Sequence, residues 1–354
     1  MLDYILNGNA HGPVAAQMLQ SNFDAGLLRP FIGKDGRSYV TLNQGFGSDG
    51  KVQYKNIVRN AAATLRKEEW VHLDDAVMRA ATPRLKAWAD LEGANPYVIP
   101  NGWGKTVLDS QSMSDISAAQ MSMDGIVRGD NDRPLFDTVG LPLPIVHKDF
   151  EMSARQIQTS RNAGEGLDTN NATLAGVKVA EMIEQLTIGV ATGMTFGGYT
   201  SYGYTTWPSR LTYSITAPTT GGWTPDTLID DVLAMRDLSI AKYYYGPWKL
   251  YMGLGWTARL DADYSALKGD LTLRERLLKL EGITGVQTLD FLTGYQALLV
   301  QMTPEVCRAV IAMRPQTIQW EEMGGLIVKL KVMSVMVPQL RADYNGNTGL
   351  VHAS

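Results

Sequence analysis

Residues with catalytic or ligand chemistry are few in this sequence, and they are scattered. The four histidines, His11, His72, His147 and His352, share no spacing that a metal site requires. His147 and Asp149 stand two apart in a predicted strand, so their side chains lie on the same face. No nucleophile stands near them, so the pair predicts a structural or surface group and not a catalytic dyad.

Two glycine-containing stretches imitate nucleotide-binding loops. Gly45, Gly47 and Gly50 satisfy G-x-G-x-x-G. However, the following KVQYKNIV is typical of a strand, where dinucleotide-binding folds place a helix. Residues 104–106 end like a phosphate-binding loop, but Ile99 occupies the position of its first glycine. Neither stretch therefore predicts a nucleotide site.

Acidic residues cluster at two points without forming a recognisable site. Asp130, Asn131 and Asp132 lack both the spacing and the terminal Glu of a calcium-binding loop. Glu321 and Glu322 are adjacent, and adjacent side chains of a strand face opposite sides, so they cannot work as a paired acid and base. We therefore predict no catalytic, metal or cofactor residue, and a protein that is not an enzyme.

The composition predicts a folded chain without a membrane span. Of 354 residues, 45% are hydrophobic and 19% are charged, which is typical of globular domains. The net charge of -4 argues against a protein that wraps nucleic acid, because phosphate binding needs clustered Lys and Arg. Cys307 is the single cysteine, so no disulfide can form within the chain. We see no membrane helix and no signal peptide, and expect a soluble protein made in a cytoplasm.

The chain begins with an arm, which is followed by a broken helix. Residues 1–60 are rich in Gly and Asn, and 29–42 predict a hairpin. A helix capped by Thr64 follows, and Pro83 is expected to break it, with Thr82 capping its second part. The apolar stripe of this helix comprises Trp70, Leu73, Val77, Ala81, Leu85 and Trp88.

Residues 121–155 predict a long hairpin with a polar tip that projects from the body. Two-stranded hairpins are marginally stable alone in water, so this one needs a partner surface, and another chain can supply it. Our contact candidates at and beside the tip are Arg128, Asp130, Asp132, Arg133 and Phe136.

A second long helix and an aromatic stretch follow the hairpin. The helix is predicted over 169–191, capped by Asp168 or Thr169, with an apolar stripe of Val179, Ile183, Leu186 and Val190. Residues 193–223 carry seven aromatic side chains but a single charge, Arg210. Binders of single-stranded nucleic acid interleave aromatic residues with cations, so an interface is favoured. The contact candidates in this stretch are Tyr199, Tyr202, Tyr204 and Trp207.

The rest of the chain mixes helices and strands. Thr224 and Pro225 predict a helix start, and Thr272 with Glu275 forms a capping-box pattern. The remaining predictions are strands at 248–254, 285–291 and 295–302, a short helix at 304–313, a hairpin turning at 324–325 with a second strand at 326–337, and a polar tail.

The order of these elements resembles the major capsid proteins of tailed bacteriophages, which have the Hong Kong 97 fold, and more distantly the encapsulins. The resemblance spans nearly the whole chain and rests on an ordered set of blocks, since no single motif is diagnostic. These blocks are FDAGLLRPFIGKDGRSYVTL (23–42), LRKEEWVHLDDAV (65–77), SMDGIVRGDNDRPLF (122–136), GLPLPIVHKDFEMSAR (140–155) and VPQLRADYNGNTGLVH (337–352).

The resemblance implies an α+β fold in which the projecting hairpin is an extended loop over a neighbouring subunit, and the long helix is the spine of a peripheral domain. The implied division is an N-terminal arm (1–60), the first part of the peripheral domain (61–117), the extended loop (118–150), the peripheral domain with spine helix and aromatic loop (151–223), an axial domain (224–312), and return strands of the peripheral domain with a C-terminal tail (313–354).

The resemblance also implies assembly into pentamers and hexamers of a virion capsid, in a chain made in the cytoplasm of a bacterial host. The implied partners are other copies of the chain, a portal protein, a separate scaffolding protein, a decoration protein and double-stranded DNA contacted without sequence specificity. The founding member joins a Lys of its extended loop covalently to an Asn of a neighbour. Residues 121–147 contain no Lys, so we expect no such cross-link.

Two alternatives remain open at this point. The first is an encapsulin-like shell that holds cargo enzymes, and the second is a soluble enzyme whose site is assembled from scattered residues. Packaged DNA or a cargo protein in purified particles separates the two shell readings. Sedimentation separates both from an ordinary enzyme, which would be small.

Overall fold

Helices and strands alternate along the chain, and the strands form sheets that are antiparallel or mixed. The computed structural model describes residues 30–46, 52–59, 65–100, 102–119, 121, 123, 133–162, 169–264, 271–322 and 326–354. The helices in these ranges are α1 (Lys67–Ala81), α2 (Lys86–Ala94), α3 (Ala154–Asn162), α4 (Asn170–Ile188), α5 (Pro225–Ile240), α6 (Thr257–Leu260) and α7 (Leu273–Leu278).

The strands of the same ranges divide among five sheets, and the α+β class predicted from the sequence is confirmed. The strands are β1 (Phe31–Ile32), β2 (Ser38–Phe46), β3 (Val52–Arg59), β4 (Pro96–Val98), β5 (Val107–Met113), β6 (Phe136–Pro142), β7 (Val146–Ser153), β8 (Thr195–Phe196), β9 (Tyr199–Thr200), β10 (Leu211–Tyr213), β11 (Trp248–Met252), β12 (Ile283–Thr288), β13 (Ala297–Gln301), β14 (Cys307–Glu322), β15 (Ile327–Leu340) and β16 (Leu350–Ala353).

A first body consists of the four-stranded sheet β4-β14-β15-β7 with α1, α2 and α4 packed on it. The long helix α4 crosses α1 closely at Gly176, where a Cβ atom would lie 3.0 Å from the Val77 carbonyl oxygen. The helix ends at Gly189, whose φ of 99° is the left-handed cap conformation that favours glycine. Val190, predicted in the apolar stripe, therefore lies beyond the helix and is exposed.

The broken helix has the predicted apolar stripe, but its caps differ from the prediction. Glu69 accepts a hydrogen bond from the Arg66 backbone N–H at 2.7 Å, so α1 begins two residues later than a Thr64 cap would place it. Thr82 does not cap α2, because its hydroxyl donates to the Met78 carbonyl at 2.8 Å. The free N–H groups of α2 are bound instead by Glu184 of α4.

A second body consists of the five-stranded sheet β10-β16-β13-β11-β12, covered on one face by α5 and α7. The helix start at Thr224 and Pro225 is confirmed, as is the capping box of Thr272 and Glu275. The other face of this sheet joins the core of the first body through Leu298, Val300 and Leu350. One hydrophobic cluster therefore spans both bodies, while the second body has a further cluster of its own under α5 and α7.

Residues 304–313 do not form the predicted helix, because they lead into the long strand β14, which pairs antiparallel with β15. Val310 lies opposite Val337, and both are fully buried. A short apolar run that is buried on both faces has no periodicity to separate a strand from a helix. The β14–β15 hairpin itself is confirmed, while its turn at 324–325 lies outside the described residues.

The C-terminal segment is not the polar tail that the sequence predicted. Leu350–Ala353 forms the buried strand β16 of the second body, antiparallel to β13 and parallel to β10. The expected return of the whole segment 313–354 to the first body is therefore wrong for its end. The signal was missed because a strand of four residues is too short to show a pattern, and its pairing partners are remote in sequence.

The projecting hairpin begins earlier in the chain than predicted. Its strands are β5 and β6, joined in antiparallel register from Val107↔Pro142 to Met113↔Phe136. Strand β7, which the prediction placed in the returning arm of the hairpin, pairs with β15 in the first body. Both segments flanking Pro144 were predicted as one returning arm of the hairpin, and the sequence alone could not show that the second one pairs within the body.

The described part of the N-terminal arm forms the three-stranded sheet β1-β2-β3, which includes the predicted hairpin. Its contacts with the first body include the packing of Phe31 into the core and two hydrogen bonds. The Trp70 indole N–H donates to the Pro30 carbonyl at 3.1 Å, and the Ile32 N–H donates to the Leu65 carbonyl at 3.0 Å.

Candidate functional site

The distal part of the β5–β6 hairpin presents apolar side chains to solvent. Met113 and Phe136 lie directly opposite one another and are 58% and 65% exposed. Ile116 and Leu135 beside them are also exposed. Among the described residues, no third strand pairs with this hairpin, so it cannot bury these side chains itself. Exposed apolar groups at one place mark a surface that another molecule covers.

The polar tip predicted for this hairpin falls mostly outside the described residues. Arg128, Asp130 and Asp132 all lie there, so their contacts with another chain stay predictions. Arg133 and Phe136 lie within the described residues and are exposed. These two residues remain contact candidates.

The aromatic candidates of 193–223 lie close together, but they mostly contact their own chain. Tyr204 is fully buried and stacks on Tyr251 with ring centroids 6.3 Å apart. It has no surface to offer a second chain, so that candidate is wrong. Tyr202 and Trp207 are half-buried and pack edge to face, with centroids 5.5 Å apart. Tyr199 is also half-buried and lies on β6 of the projecting hairpin.

A groove of about 490 Å³ lies beside these aromatic residues, at the base of the hairpin. Its walls come from the hairpin, from the β9 region and from the chain that follows β15. The Trp207 indole nitrogen is buried without a hydrogen-bond partner. The residues along the groove include Ser110, Val139, Tyr199, Trp207, Leu340 and Tyr344.

Glu184 is a buried ionisable residue that sequence reasoning missed. Its carboxylate accepts hydrogen bonds from the Ala87 N–H at 2.7 Å and the Trp88 N–H at 3.1 Å, both in the first turn of α2. Burial raises the pKa of Glu184 to about 7, although these two hydrogen bonds act in the opposite direction. The position of Glu184 in the sequence could not predict this contact, because its hydrogen-bond partners belong to a helix that is remote in sequence.

Polar side chains also join the first body to the second across α2. Asp90 receives the Lys249 ammonium at 2.5 Å and a hydrogen bond from the Tyr251 hydroxyl at 2.9 Å. Lys86 and Asp290 form a second ion pair at 2.9 Å. Because these partners sit on different bodies, they hold the two bodies in one relative orientation.

The motifs with apparent chemistry do not combine into a catalytic site in the described ranges. His147 and Asp149 lie on one face as predicted, 3.6 Å apart and about half exposed. The His352 ring accepts a hydrogen bond from the Arg210 guanidinium at 3.4 Å. Burial is the larger cause that lowers the pKa of His352, and the positive charge of Arg210 lowers it further. Residues 104–106 lead into β5 and not into a helix.

Two negative findings apply to the described part of the chain. It contains no group of three or more His, Cys, Asp or Glu side chains placed to hold a metal ion. Its helices are all too short or too polar to cross a bilayer.

Known structures share this architecture at low sequence identity. The virus-like particle from Pyrococcus furiosus superposes with a TM-score of 0.57 at 15% identity, over 81% of this chain and 100% of that one. The capsid of Myoviridae phage XM1 gives 0.57 at 11% identity, over 74% and 91%. Mycobacterium phage Bobi gives 0.53 at 14% identity, over 75% and 89%. The chain therefore has the Hong Kong 97 fold that its sequence blocks predicted.

Sequence comparison places the chain in a family without assigning a role. No curated protein matches it. A family profile matches residues 60–353, which is most of the chain. The chain belongs to the Family of unknown function (DUF6260).

Proposed function

We propose that this protein is the major capsid protein of a tailed bacteriophage, which assembles into the icosahedral head around double-stranded DNA. The observation that carries the proposal is the β5–β6 hairpin, which leaves Met113 and Phe136 in water while the fold is that of capsid subunits. Another surface is expected to cover the distal end of this hairpin, because two strands alone are only marginally stable in water and exposed apolar groups favour burial. In a closed shell that surface is the neighbouring subunit, and the role is structural, not enzymatic.

The two bodies take the parts of the peripheral and axial domains in this proposal. The first body, with spine helix α4, is the peripheral domain, and the second body with β16 is the axial domain, which meets its copies in pentamers and hexamers. The arm runs across neighbours. A portal protein, a separate scaffolding protein, a decoration protein and non-specifically contacted DNA complete the proposed set of partners, and the mature protein resides in the virion.

The test of assembly uses the full chain purified from a bacterial host. We expect capsomers or closed shells by electron microscopy and fast sedimentation. A chain that stays monomeric at every concentration and salt would overturn the proposal.

A matched pair of variants tests the surface that carries the proposal. Phe136→Asp puts a charge where the hairpin must be covered, so assembly is expected to fail while thermal unfolding of the dispersed subunit is unchanged. Phe136→Leu keeps an apolar group of similar reach and should assemble. Normal shells from Phe136→Asp would show that this face of the hairpin is not an interface.

A second candidate function is a shell that encloses something other than a phage genome. It is favoured by the likeness to the Pyrococcus furiosus virus-like particle, which this chain matches over the full length of that protein. Nuclease-protected DNA in native particles supports the phage head. A stoichiometric cargo protein in place of that DNA supports the second candidate.

A further inference from the structure

The base of the projecting hairpin is held by an aromatic ring from a second, much smaller hairpin. We propose that the hairpin β8–β9 is a brace that sets the direction of the β5–β6 hairpin, with Tyr199 as its positioning residue. The consequence for shell geometry rests on the proposed function, whereas the brace itself is a property of the single chain.

The contact between the two hairpins is one that only glycine permits. A Cβ atom at Gly140 of β6 would lie 2.4 Å from Tyr199 Cδ2 and 2.8 Å from its Cγ. Non-bonded carbon atoms approach to about 3.5–4.0 Å, so the ring occupies the place of a side chain on this strand. A glycine inside a strand often marks such a close approach.

The opposite face of the hairpin base is also fixed. Leu108 and Leu141 lie opposite one another in the register and are buried in a hydrophobic cluster with Leu186 of α4 and Val335 and Val337 of β15. Successive residues of a strand point to opposite faces. Tyr199 therefore presses on one face of the base while the cluster holds the other.

The brace is firmly attached to the spine helix. Its turn, Gly197 and Gly198, has φ values of 61° and 84°, which suit a tight two-residue hairpin. The chain after β9 returns to the last turn of α4, where the Tyr204 N–H donates to the Thr187 carbonyl at 3.0 Å. The Thr205 N–H donates to the Ile188 carbonyl at 2.8 Å. The position of Tyr199 thus follows the position of α4.

The distal hairpin depends on this base for its direction. Residues 136–138 are exposed, and no third strand among the described residues supports them. With about 3.3 Å per strand residue, Phe136 lies roughly 13 Å along the strand from Gly140. A tilt of about 20° at the base would move Phe136 by roughly 4 Å. In a shell, that movement changes where the apolar end meets the neighbouring subunit.

The test measures the hairpin direction within one chain. Spin labels are attached to Thr138→Cys on the hairpin and Leu174→Cys on α4, both exposed positions. Cys307 is fully buried, and burial raises its thiol pKa to about 12, so it stays unlabelled at neutral pH. Labelled chain is diluted into unlabelled chain, so that distances within one subunit dominate in any assembly state.

A single narrow distance is expected for the parent chain and for Tyr199→Phe, which keeps the ring. Tyr199→Ala removes the ring, and the new Cβ atom of Gly140→Ala displaces it. Each variant should therefore broaden the distance distribution, while its thermal unfolding stays cooperative. The double variant should be no broader than either single one, because both act on one contact. Retention of the narrow distance in Tyr199→Ala and Gly140→Ala overturns the brace.

Particle size then tests the consequence for the shell. Tyr199→Ala particles should be heterogeneous in diameter, while Tyr199→Phe particles should match the parent. Uniform particles of parental size from a variant with a broadened distance would overturn the link between brace and shell. If the parent chain forms no particles, the proposed function fails, and the distance measurement still decides whether the brace exists.

Discussion

Glu184→Gln tests whether the buried carboxylate that joins α4 to α2 makes the stability of the chain depend on pH. Glu184 is 2% exposed, and its two oxygens bind the N–H groups of Ala87 and Trp88. Burial is the largest influence on its pKa, Asp90 raises the pKa further, and Lys86 lowers it. The pKa of Glu184 therefore stands at about 7, against an ordinary value of 4.5.

The sign of the pH dependence follows from this raised pKa. Between pH 4.5 and 7 the folded chain holds the Glu184 proton and the unfolded chain does not. The stabilisation of the fold that comes from this raised pKa is therefore fully present below pH 4.5 and is lost as the pH rises through 7. At about 1.4 kcal/mol per pH unit, the lost stability amounts to roughly 3 kcal/mol.

Urea unfolding of the dispersed subunit at pH 5 and at pH 8.5 measures this difference. Gln carries no charge at either pH, so Glu184→Gln should remove roughly 3 kcal/mol of the pH dependence. It should also cost about 1 kcal/mol at pH 5, because the amide cannot accept both hydrogen bonds. Glu181→Gln, the same substitution on the same helix, is the control because Glu181 bonds Lys178 and not the N–H groups of α2, so the roughly 3 kcal/mol effect should be specific to Glu184→Gln. Equal pH dependence in the parent and in Glu184→Gln would refute the reasoning.

Three further outcomes follow from the described contacts and the sequence. Asp90→Ala should lower the unfolding free energy by about 2 kcal/mol in urea titrations, because it leaves the buried Tyr251 hydroxyl and the Lys249 ammonium without their acceptor. Cys307 should not react with iodoacetamide at pH 7 until the chain is unfolded, since burial raises its pKa to about 12. Mature particles boiled in detergent should run as single chains, because 121–147 contain no Lys; a ladder that survives reduction would contradict this.

Periodicity identified the long elements because their burial is one-sided. The stripe that includes Trp70, Val77 and Trp88 predicted α1 and α2, and Val179 with Ile183 predicted α4, since a helix half in water must repeat its apolar residues. Periodicity failed where both faces are covered, as in β14. It also failed where an element is too short to repeat, as in β16.

The choice between the two strands around Pro144 was likewise a tertiary one. Strands β6 and β7 were predicted together in the returning arm of the hairpin, yet β6 pairs with β5 and β7 pairs with β15. Edge pairing depends on which neighbour is available in space, and a single sequence does not contain that information. The sequence predicted a hairpin in this part of the chain, but it did not predict that the first strand begins at Val107.

By itself, the sequence determined that this is a folded α+β chain with a second long helix, a long hairpin and an aromatic stretch, because these features follow from local composition and spacing. Only the tertiary structure decided what those features do for one another. Glu184 caps a helix about a hundred residues away in sequence, and Tyr199 fills the place of a side chain at Gly140. Tyr204, chosen from its sequence as a contact for another chain, is buried in its own core. Each of these contacts joins two segments that come together only in the folded chain, so the spacing of residues along the sequence could not predict it.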